Sequence, residues 1–233
     1  MVGRDLHHIQ KEIILSLAHR SPQRFSQLQP PQIPNNTFSY HLKKLLHAEF
    51  IALVDGGYIP TRKALKALQY EENIEGETSN NPVFITAIYV TNNDGKVLLL
   101  RRNYPPFIGW NCVPAGLIHQ GESLEQAALR ELSEKTSIEA NDIEFAGVLD
   151  FQYLEDVSRD LFVHTVAFVY SYRLPDRGEQ LEGMRSHYGT LQWSDLSSKN
   201  ILPEVYTIAE LVRRKEPGVK SIAYDEPIMD KEK

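Results

Sequence analysis

Apolar residues recur at helical spacing near the start of the chain. The first such run consists of Leu6, Ile9, Ile13, Ile14 and Leu17. Positions three and four residues apart lie on one face of a helix, so this run predicts an amphipathic helix. A shorter helix is predicted to begin near Arg24, with Phe25 and Leu28 directed inward, and a third helix follows a proline-rich turn.

The third predicted helix has Asn36 or Thr37 as its cap and ends near Ala48. Its apolar stripe consists of Leu42, Leu45 and Leu46. The stretch FIALVDGGYIPT follows, and its two short apolar runs meet at Asp55, Gly56 and Gly57, a strong signal for a β-hairpin. The order of three helices and a hairpin is that of a winged helix-turn-helix. The stretch FSYHLKKLLHAEFIALVDGGYIPTRKALKAL resembles the recognition helix, wing and following helix of ArsR-like or MarR-like bacterial regulators.

The sequence YEENIEGETSNNP, residues 70–82, is polar, acidic and poor in apolar side chains. Such a composition is typical of a linker. We therefore predict a winged-helix domain at residues 1–70, a linker at residues 71–82 and a second domain at residues 83–233. A total of 233 residues agrees with two domains.

The second domain begins with two apolar runs, FITAIYV and KVLLLRR, joined by a turn rich in Asn, Asp and Gly, which predicts an antiparallel hairpin. Further strands are predicted at residues 145–149, 162–172 and 190–193. A central helix starts near Ser123, and a closing helix covers residues 205–214. Strands interrupted by one helix and followed by another predict an α/β/α sandwich with a mixed sheet, so the whole chain is of the α+β class.

Carboxylates occur at fixed spacings across residues 116–138, GLIHQGESLEQAALRELSEKTSI. Gly116 is followed after five residues by Glu122 and after seven more by Arg130 and Glu131, with Glu134 shortly after. This pattern resembles the Nudix box, the signature of enzymes that hydrolyse nucleoside diphosphates linked to another moiety. The resemblance covers roughly residues 83–215, including the LLLRR, GWNCVPAG and QWSDL elements, and it implies the same α/β/α sandwich.

Hydrolysis of a diphosphate requires neutralisation of two phosphates and a positioned water, which Mg²⁺ or Mn²⁺ held by carboxylates supplies. The resemblance implies that Glu131 and Glu134 are catalytic and bind the metal. Glu182, in the later stretch RGEQLEG, is a candidate third metal ligand, and an exposed loop acid is the alternative. Glu122 and Arg130 resemble the structural pair of the box.

Two positions depart from the Nudix pattern. Lys135 stands where the family has a second metal-binding glutamate, and Ser137 stands where it has glycine. Residues 131 and 135 are four apart on one helix face, so the Lys135 ammonium is expected to pair with Glu131 and to repel Mg²⁺. We therefore expect a weakened or absent metal site.

Four residues are predicted to contact a nucleotide-like ligand: Arg101, Arg102, Trp110 and Gly116. Arginine forks match phosphate oxygens, although a salt bridge at the sheet edge would explain both arginines equally well. The Trp110 ring is a candidate for stacking on a base, and core packing is the alternative. Gly116 lets the backbone pass close to the metal position.

Charge is distributed unevenly along the chain. Residues 1–70 contain nine Lys or Arg and four Asp or Glu, a net charge of +5, so the other residues carry −11 of the total of −6. A basic domain suggests a polyanionic partner, and in a winged helix the third helix enters the major groove of DNA. The predicted DNA contacts are Asn36, Thr37, Ser39, Tyr40, Lys43, Lys44 and Arg62. The alternative is a solvated helix face on a domain that mediates dimerisation.

These observations leave two functions open. In the first, a homodimeric transcription regulator binds double-stranded DNA, and its Nudix-like domain binds a nucleoside-diphosphate ligand such as ADP-ribose. In the second, the chain is an active Mg²⁺- or Mn²⁺-dependent Nudix hydrolase; Lys135 favours the first function. One cysteine, Cys112, and the lack of an apolar run long enough to span a membrane predict a cytoplasmic protein without a membrane partner.

Overall fold

The computed structural model describes residues 6–71, 82–155, 158–214 and 216–226. The chain divides into two compact units, Met1–Asn80 with Tyr104–Ile108 and Asn81–Asn103 with Gly109–Lys233. The predicted linker at residues 71–82 lies outside the described residues except at its two ends. Among the described residues, no helix is both long and apolar enough to cross a membrane.

The first unit contains three helices, a hairpin and a fourth helix. Its elements are α1 (His8–His19), α2 (Phe25–Leu28), α3 (Asn35–His47), β1 (Ile51–Val54), β2 (Gly57–Pro60) and α4 (Arg62–Glu71). This order is that of the predicted winged helix-turn-helix. Its core includes Ile13, Ile14, Leu17, Phe38 and Leu45, each at most 2% exposed. The apolar stripes of α1 and α3 therefore meet in one core.

The start of α3 differs from the prediction. The cap is Pro34, with φ −58° and ψ 144°, and neither Asn36 nor Thr37 caps the helix. Proline is tolerated at this position because the helix needs no N–H donor there, while the Pro34 carbonyl accepts the first helical hydrogen bond, from the Phe38 amide at 3.0 Å. The helix ends at His47 with Ala48 as its C-terminal cap, close to the predicted end near Ala48.

The hairpin is attached to the segment that precedes α2. Tyr58 and Gln23 exchange two backbone hydrogen bonds of 3.1 and 2.8 Å. Gly57, at φ 144°, leaves room for this approach, since a Cβ there would lie 2.3 Å from the Gln23 carbonyl oxygen. The hairpin is therefore fixed to the helical part of its own unit.

The second unit is built on one mixed sheet. Its strands are β3 (Val83–Thr91), β4 (Val97–Arg102), β5 (Asn111–Cys112), β6 (Ala115–Leu117), β7 (Glu144–Leu154), β8 (Leu161–Arg173), β9 (Arg185–Ser186), β10 (Gly189–Ser194) and β11 (Gly218–Asp225). The main strand order is β11-β7-β8-β3-β4-β10-β9, with β5 on β4 and β6 on β3. The β11–β7 and β3–β8 pairs are parallel, and the others are antiparallel.

Two helices cover opposite faces of this sheet: α5 (Leu124–Thr136) and α6 (Pro203–Val212). Tyr153 of β7 reaches Glu204 of α6. Val169 of β8 lies on the same face of the sheet as Tyr153, and side chains alternate along a strand, so the next residue, Tyr170, lies on the opposite face. Tyr170 is near Glu125 of α5. The predicted α/β/α layers are therefore present.

The strand β11 was missed by the pattern analysis. Its residues alternate between half-buried and exposed. The polar residues Lys220 and Ser221 interrupt its apolar side chains. It pairs in parallel with β7, where Gly147 meets Gly218 so closely that a Cβ on Gly147 would lie 2.4 Å from the Gly218 carbonyl oxygen. Only this long-range pairing defines the strand.

Candidate functional site

The box helix α5 begins at a capping box. The Ser123 hydroxyl accepts a hydrogen bond of 3.1 Å from the Gln126 amide, and the Gln126 side chain accepts one of 2.8 Å from the Ser123 amide. The helix ends at Ser137, which has a left-handed φ of 59°. Serine tolerates this conformation at a cost of about 1 kcal/mol relative to glycine, so its replacement of glycine leaves the helix end intact.

Glu122 and Arg130 meet in a bidentate ion pair. Arg130 Nε lies 3.0 Å from Glu122 Oε2, and Arg130 Nη2 lies 2.7 Å from Oε1. Nη2 also donates to the Leu117 carbonyl at 2.8 Å. Hydrogen bonding from Arg130 lowers the pKa of Glu122 to about 2. The pair ties the loop before α5 to the helix and to the end of β6.

Glu131 lies under the backbone of β6. Its side chain is 5% exposed, and Arg130 Nη1 lies 2.6 Å from its Oε1. Gly116 is directly above it, because a Cβ on Gly116 would lie 2.0 Å from Glu131 Oε2. A side chain at residue 116 would therefore displace this carboxylate from its place beside Arg130 and Lys135.

Lys135 occupies the side of Glu131 that the Nudix pattern gives to a second carboxylate. Its Nζ lies 3.6 Å from Glu131 Oε2, and its side chain is 8% exposed. The same ammonium stands 3.0 Å from the centre of the Tyr188 ring. Tyr188 was not among the predicted site residues, and nothing in its local sequence marks it, because it reaches the box helix only through the sheet.

The three predicted metal ligands do not form a metal site. Glu134 is 44% exposed and lies 3.5 Å from Arg130 Nη1. Glu182 instead accepts a hydrogen bond of 2.7 Å from the Trp193 backbone amide. Within the part of the chain that the structure describes, no group of three or more His, Cys, Asp or Glu side chains is arranged to hold a metal ion.

The donor set at Glu131 therefore does not fit a divalent metal. Cationic nitrogens of Arg130 and Lys135 lie within 2.6 and 3.6 Å of its two oxygens. A divalent ion at the same carboxylate would meet the Lys135 ammonium at a few ångströms, where repulsion is strong in a partly buried site.

The predicted ligand contacts are divided between two environments. Arg101 and Arg102 are consecutive in β4, so their side chains leave opposite faces of the sheet. Arg101 is exposed. The Arg102 charge acts on the buried Cys112 thiol and Glu204 carboxylate, lowering the pKa of both groups, although burial raises each of them overall. Arg101 is therefore the better placed of the two for a soluble anion, and Trp110 is partly buried beside this strand end.

A buried polar cluster that the sequence analysis missed lies under α6. The Tyr153 hydroxyl donates a hydrogen bond to Glu204 Oε2. Burial raises the pKa of Glu204 to about 6, and burial raises the pKa of Tyr153 as well. Nearby, the Thr207 and Tyr224 hydroxyls are 2.6 Å apart. Glu204 follows Pro203 at the start of α6, where the sequence predicts an exposed glutamate. Only the fold shows that it is buried in this cluster.

The α3 helix presents most of the predicted DNA contacts to solvent. Asn36, Thr37, Tyr40, Lys43, Lys44 and Arg62 are exposed, and Ser39 is half-buried. Lys44 Nζ lies 4.7 Å from the centre of the Tyr40 ring. The opposite side of α3 buries Phe38 and Leu42 in the core. One helix therefore separates an apolar face from a polar and cationic one.

A histidine cluster adjoins this helix. The buried His41 ring stacks on His7 at 4.4 Å between ring centres, and His7 meets His8 at 4.2 Å. Burial, and then the charges of His7, Lys44 and His8, lower the pKa of His41. His41 is therefore held in its neutral form near pH 7.

Comparison with known proteins identifies a family. The model of the NUDIX domain matches residues 82–214. Similar curated proteins include the NAD-capped RNA hydrolase NudC of Vibrio atlanticus, 28% identical over 132 residues, which are 57% of this chain and 44% of that protein. The ADP-ribose pyrophosphatase of Methanocaldococcus jannaschii is 37% identical over 49 residues, 21% of this chain and 29% of that protein. The chain thus spans less than half the length of either relative.

Another relative is the uncharacterized Nudix hydrolase YvcI of Bacillus subtilis, 31% identical over 117 residues, which are 49% of this chain and 67% of that protein. Among solved structures, the NUDIX domain of Shewanella oneidensis NrtR in complex with ADP ribose has a TM-score of 0.47 at 24% identity, over 62% of this chain and 95% of that one. The MutT protein from Bacillus halodurans has a TM-score of 0.48 at 20% identity, over 61% and 90%.

Proposed function

The chain belongs to the Nudix family, and we propose that it is a DNA-binding transcription regulator whose Nudix domain binds a nucleoside-diphosphate ligand instead of turning it over rapidly. Nudix proteins generally use divalent metal ions such as Mg²⁺ or Mn²⁺. In the proposed function, the winged-helix unit binds double-stranded DNA as a homodimer, and the ligand changes the affinity of that binding.

One observation carries the proposal. Lys135 lies 3.6 Å from Glu131, at the position where a Nudix hydrolase has a carboxylate for its metal. A replacement that changes the local charge by two units removes the main source of charge neutralisation for diphosphate cleavage. The fold around the position is retained, since the capping box and the ion pair of Glu122 with Arg130 are both formed. A retained fold with a lost metal ligand favours binding over catalysis.

The ligand class follows from the site and from the names of two relatives. ADP-ribose and NAD each contain an adenosine diphosphate, and the two relatives are named for action on ADP-ribose and on NAD-capped RNA. Arg101 is an exposed arginine at the end of β4, suited to phosphate oxygens, with Trp110 close by along the chain. We therefore propose ADP-ribose or a related diphosphate as the ligand.

The DNA partner is supported by the surface of α3. Its exposed face combines amide, hydroxyl and ammonium groups, which are the groups that contact base edges and phosphates. Exposed lysines on a helix that packs its other side into the core support this proposal, because in a winged helix such a helix enters the major groove.

The proposal requires reciprocal coupling between the two partners. If ADP-ribose lowers or raises DNA affinity by some factor, DNA must change ADP-ribose affinity by the same factor. To test it, duplexes are selected from a random pool with the purified protein, and fluorescence anisotropy of the selected duplex is then measured with and without ADP-ribose. Ribose 5-phosphate, which lacks the diphosphate, serves as the matched control ligand.

A saturable change of duplex affinity with ADP-ribose, and none with ribose 5-phosphate, is the expected result. Failure to enrich any duplex from the pool would remove the DNA partner from the proposal. Enrichment with no response to ADP-ribose would remove this ligand as the effector.

The alternative function is an active Nudix hydrolase. It is favoured by one observation, which is that α5 still carries both Glu131 and Glu134. Incubation with Mg²⁺ or Mn²⁺ and a panel of ADP-ribose, NADH, diadenosine polyphosphates and nucleotide sugars, followed by chromatography, tests it. Turnover by the wild type that disappears in Glu131→Gln would establish the hydrolase.

A further inference from the structure

The box helix itself contains the positive charge that a metal ion supplies in other members of the family. Arg130 Nη1 lies 2.6 Å from one oxygen of Glu131, and Lys135 Nζ lies 3.6 Å from the other. Both side chains come from α5 itself, and the spacing of four residues places Lys135 and Glu131 on the same helix face. A cation therefore lies beside each oxygen before any ligand arrives, although Oε2 accepts no hydrogen bond from the residues that the structure describes, because Lys135 Nζ stays 3.6 Å away.

Tyr188 keeps the ammonium of Lys135 in place. The ammonium stands 3.0 Å from the centre of the aromatic ring, within the range of a cation–π interaction. A buried ammonium is costly unless it is paired, and the combination of Glu131 on one side and the ring on the other provides two partners. The Lys135 ammonium is therefore held at two points, beside the carboxylate that a metal ion would have to bind.

The position of the Tyr188 ring is set by the sheet and not by the box helix. Tyr188 lies between β9 and β10, and its carbonyl oxygen accepts a hydrogen bond of 3.3 Å from the Asn103 amide. The next residue, Gly189, pairs with Arg102 of β4. The ring is therefore anchored at the strand end that also carries Arg101, the candidate phosphate contact.

We propose that Lys135, held between Glu131 and Tyr188, is the resident cation of this site, and that the Nudix domain binds its diphosphate ligand without a divalent metal. The ligand half of this inference rests on the proposed function, whereas the exclusion of metal does not. Three carboxylates, those of Glu122, Glu131 and Glu134, would repel a diphosphate. Arg130 and Lys135 compensate two of the three charges, which is the task that a metal ion performs elsewhere in the family.

The first test measures Mn²⁺ binding by the electron paramagnetic resonance signal of the unbound ion. Lys135→Glu is expected to bind Mn²⁺ about tenfold more tightly than the wild type, or more, because it removes a cation and adds a ligand. Lys199→Glu, which makes the same charge change at an exposed position of the same unit, is the control and should leave the affinity unchanged.

A second variant guards against misfolding of the first. Lys135→Gln removes the ammonium without adding a carboxylate, and its Mn²⁺ affinity should fall between those of the wild type and Lys135→Glu. Stoichiometric Mn²⁺ binding by the wild type, with no gain in either Lys135 variant, would overturn the proposal.

Tyr188 is tested as a positioning residue with two substitutions. Tyr188→Phe keeps the aromatic face and should bind Mn²⁺ as weakly as the wild type. The Mn²⁺ affinity of Tyr188→Leu should rise towards that of Lys135→Gln, because the loss of the ring releases the ammonium. If Tyr188 had only a structural role, the two variants would differ in thermal stability and not in Mn²⁺ affinity. Equal Mn²⁺ affinities in both would overturn the role of the ring.

The ligand half is tested by calorimetric titration of ADP-ribose in EDTA and in Mg²⁺. The wild-type affinity should agree within about twofold between the two buffers. Lys135→Glu should bind ADP-ribose about tenfold more weakly than the wild type in EDTA and should recover part of that loss in Mg²⁺. Binding by the wild type that EDTA abolishes would overturn the resident cation. No binding under any condition would refute ADP-ribose as the ligand of the proposed function, and the Mn²⁺ comparison would then decide the resident cation alone.

Discussion

Two helices of 13 residues each, α3 and α5, use their charged side chains in opposite ways. In α5, Arg130 and Lys135 are directed at carboxylates of the same helix or of the loop before it. In α3, Lys43 and Lys44 are exposed to solvent. The charges of α5 are compensated within the protein, while those of α3 remain accessible to a partner.

This difference bears on the proposal that one chain binds two anionic partners. Accessible ammonium groups attract a polyanion through long-range, salt-dependent attraction, as the phosphate backbone of DNA requires. The charges of α5 are compensated within the protein, so this helix should attract a metal ion only weakly and repel a small diphosphate only weakly. In the proposed function the polyanion therefore belongs to the first unit and the small ligand to the second, and four experiments probe this division in order of decreasing effect.

The largest effect is expected from Gly116→Ala. The new Cβ would lie 2.0 Å from Glu131 Oε2, so the carboxylate must leave its place between Arg130 and Lys135. We expect a loss of about 2 to 3 kcal/mol in the free energy of unfolding, measured by urea denaturation. In a Glu131→Ala background the same change should cost much less, because the obstructing side chain is gone.

Asn36→Ala on α3 is the counterpart of that substitution, since it alters an exposed side chain. It should leave stability unchanged within about 0.5 kcal/mol. Equal losses from both substitutions would break the comparison, since α5 would then be no more internally constrained than α3.

The next effect concerns the pair of Glu122 and Arg130. Arg130 lowers the pKa of Glu122 from 4.5 to about 2, so the stability that the pair contributes is complete above about pH 4.5 and is lost as the pH falls towards 2. Arg130→Met should destabilise the protein by about 1 to 2 kcal/mol at pH 7 and by much less near pH 2. Thermal unfolding of the wild type and of Arg130→Met between pH 7 and pH 2 checks this prediction. A stability difference between them that stays constant with pH would show that the pair does not lower the pKa of Glu122.

DNA binding by α3 should respond to the loss of two charges. Lys43→Ala combined with Lys44→Ala should lower duplex affinity by about tenfold at physiological salt and reduce the slope of log affinity against log salt by about two. Lys96→Ala combined with Lys199→Ala removes the same charge from exposed positions of the second unit and should change neither quantity. Indistinguishable effects of the two pairs would leave only a general electrostatic attraction and would refute α3 as the reading element.

The smallest effect is expected at His41. Its pKa is lowered by burial and by the charges of His7, Lys44 and His8, so the unfolded chain takes up a proton at a higher pH than the folded one. The stability contributed by neutral His41 is therefore complete above about pH 6.5 and declines as the pH falls below that value. His41→Phe keeps an aromatic ring but has no titrating group. The decrease of its melting temperature as the pH falls below about 6.5 should be smaller than that of the wild type, by a few degrees at most. An unchanged pH dependence would show that His41 is not the titrating group.

Much of the fold followed from local patterns. The stripe of Ile13, Ile14 and Leu17 predicted α1, and Ser123 correctly marked the start of α5. These succeeded because apolar periodicity and capping are properties of neighbouring residues. The strand β11 was missed because its mixed side chains are organised only by pairing with β7, more than 60 residues away along the chain.

The candidate site divides in the same way. The positions of Glu122, Arg130, Glu131 and Lys135 relative to each other follow from helix geometry and a short loop, and the structure brings them together. Glu182 was predicted as a third metal ligand; its carboxylate accepts a hydrogen bond from the Trp193 amide, and the described residues contain no group of three such ligands. Arg102 was expected to face a ligand, but strand alternation turns it towards buried Cys112 and Glu204.

The sequence by itself determined the helix periodicity, the capping of the box helix and the replacement of a metal ligand by Lys135, because each depends on residues within two helical turns. Only the tertiary structure decided what surrounds that lysine. Tyr188 reaches it because β9 and β10 return to the end of β4, and Gly116 covers Glu131 because β6 crosses above α5. Contacts between residues distant in sequence depend on sheet pairing and packing, which no local pattern encodes.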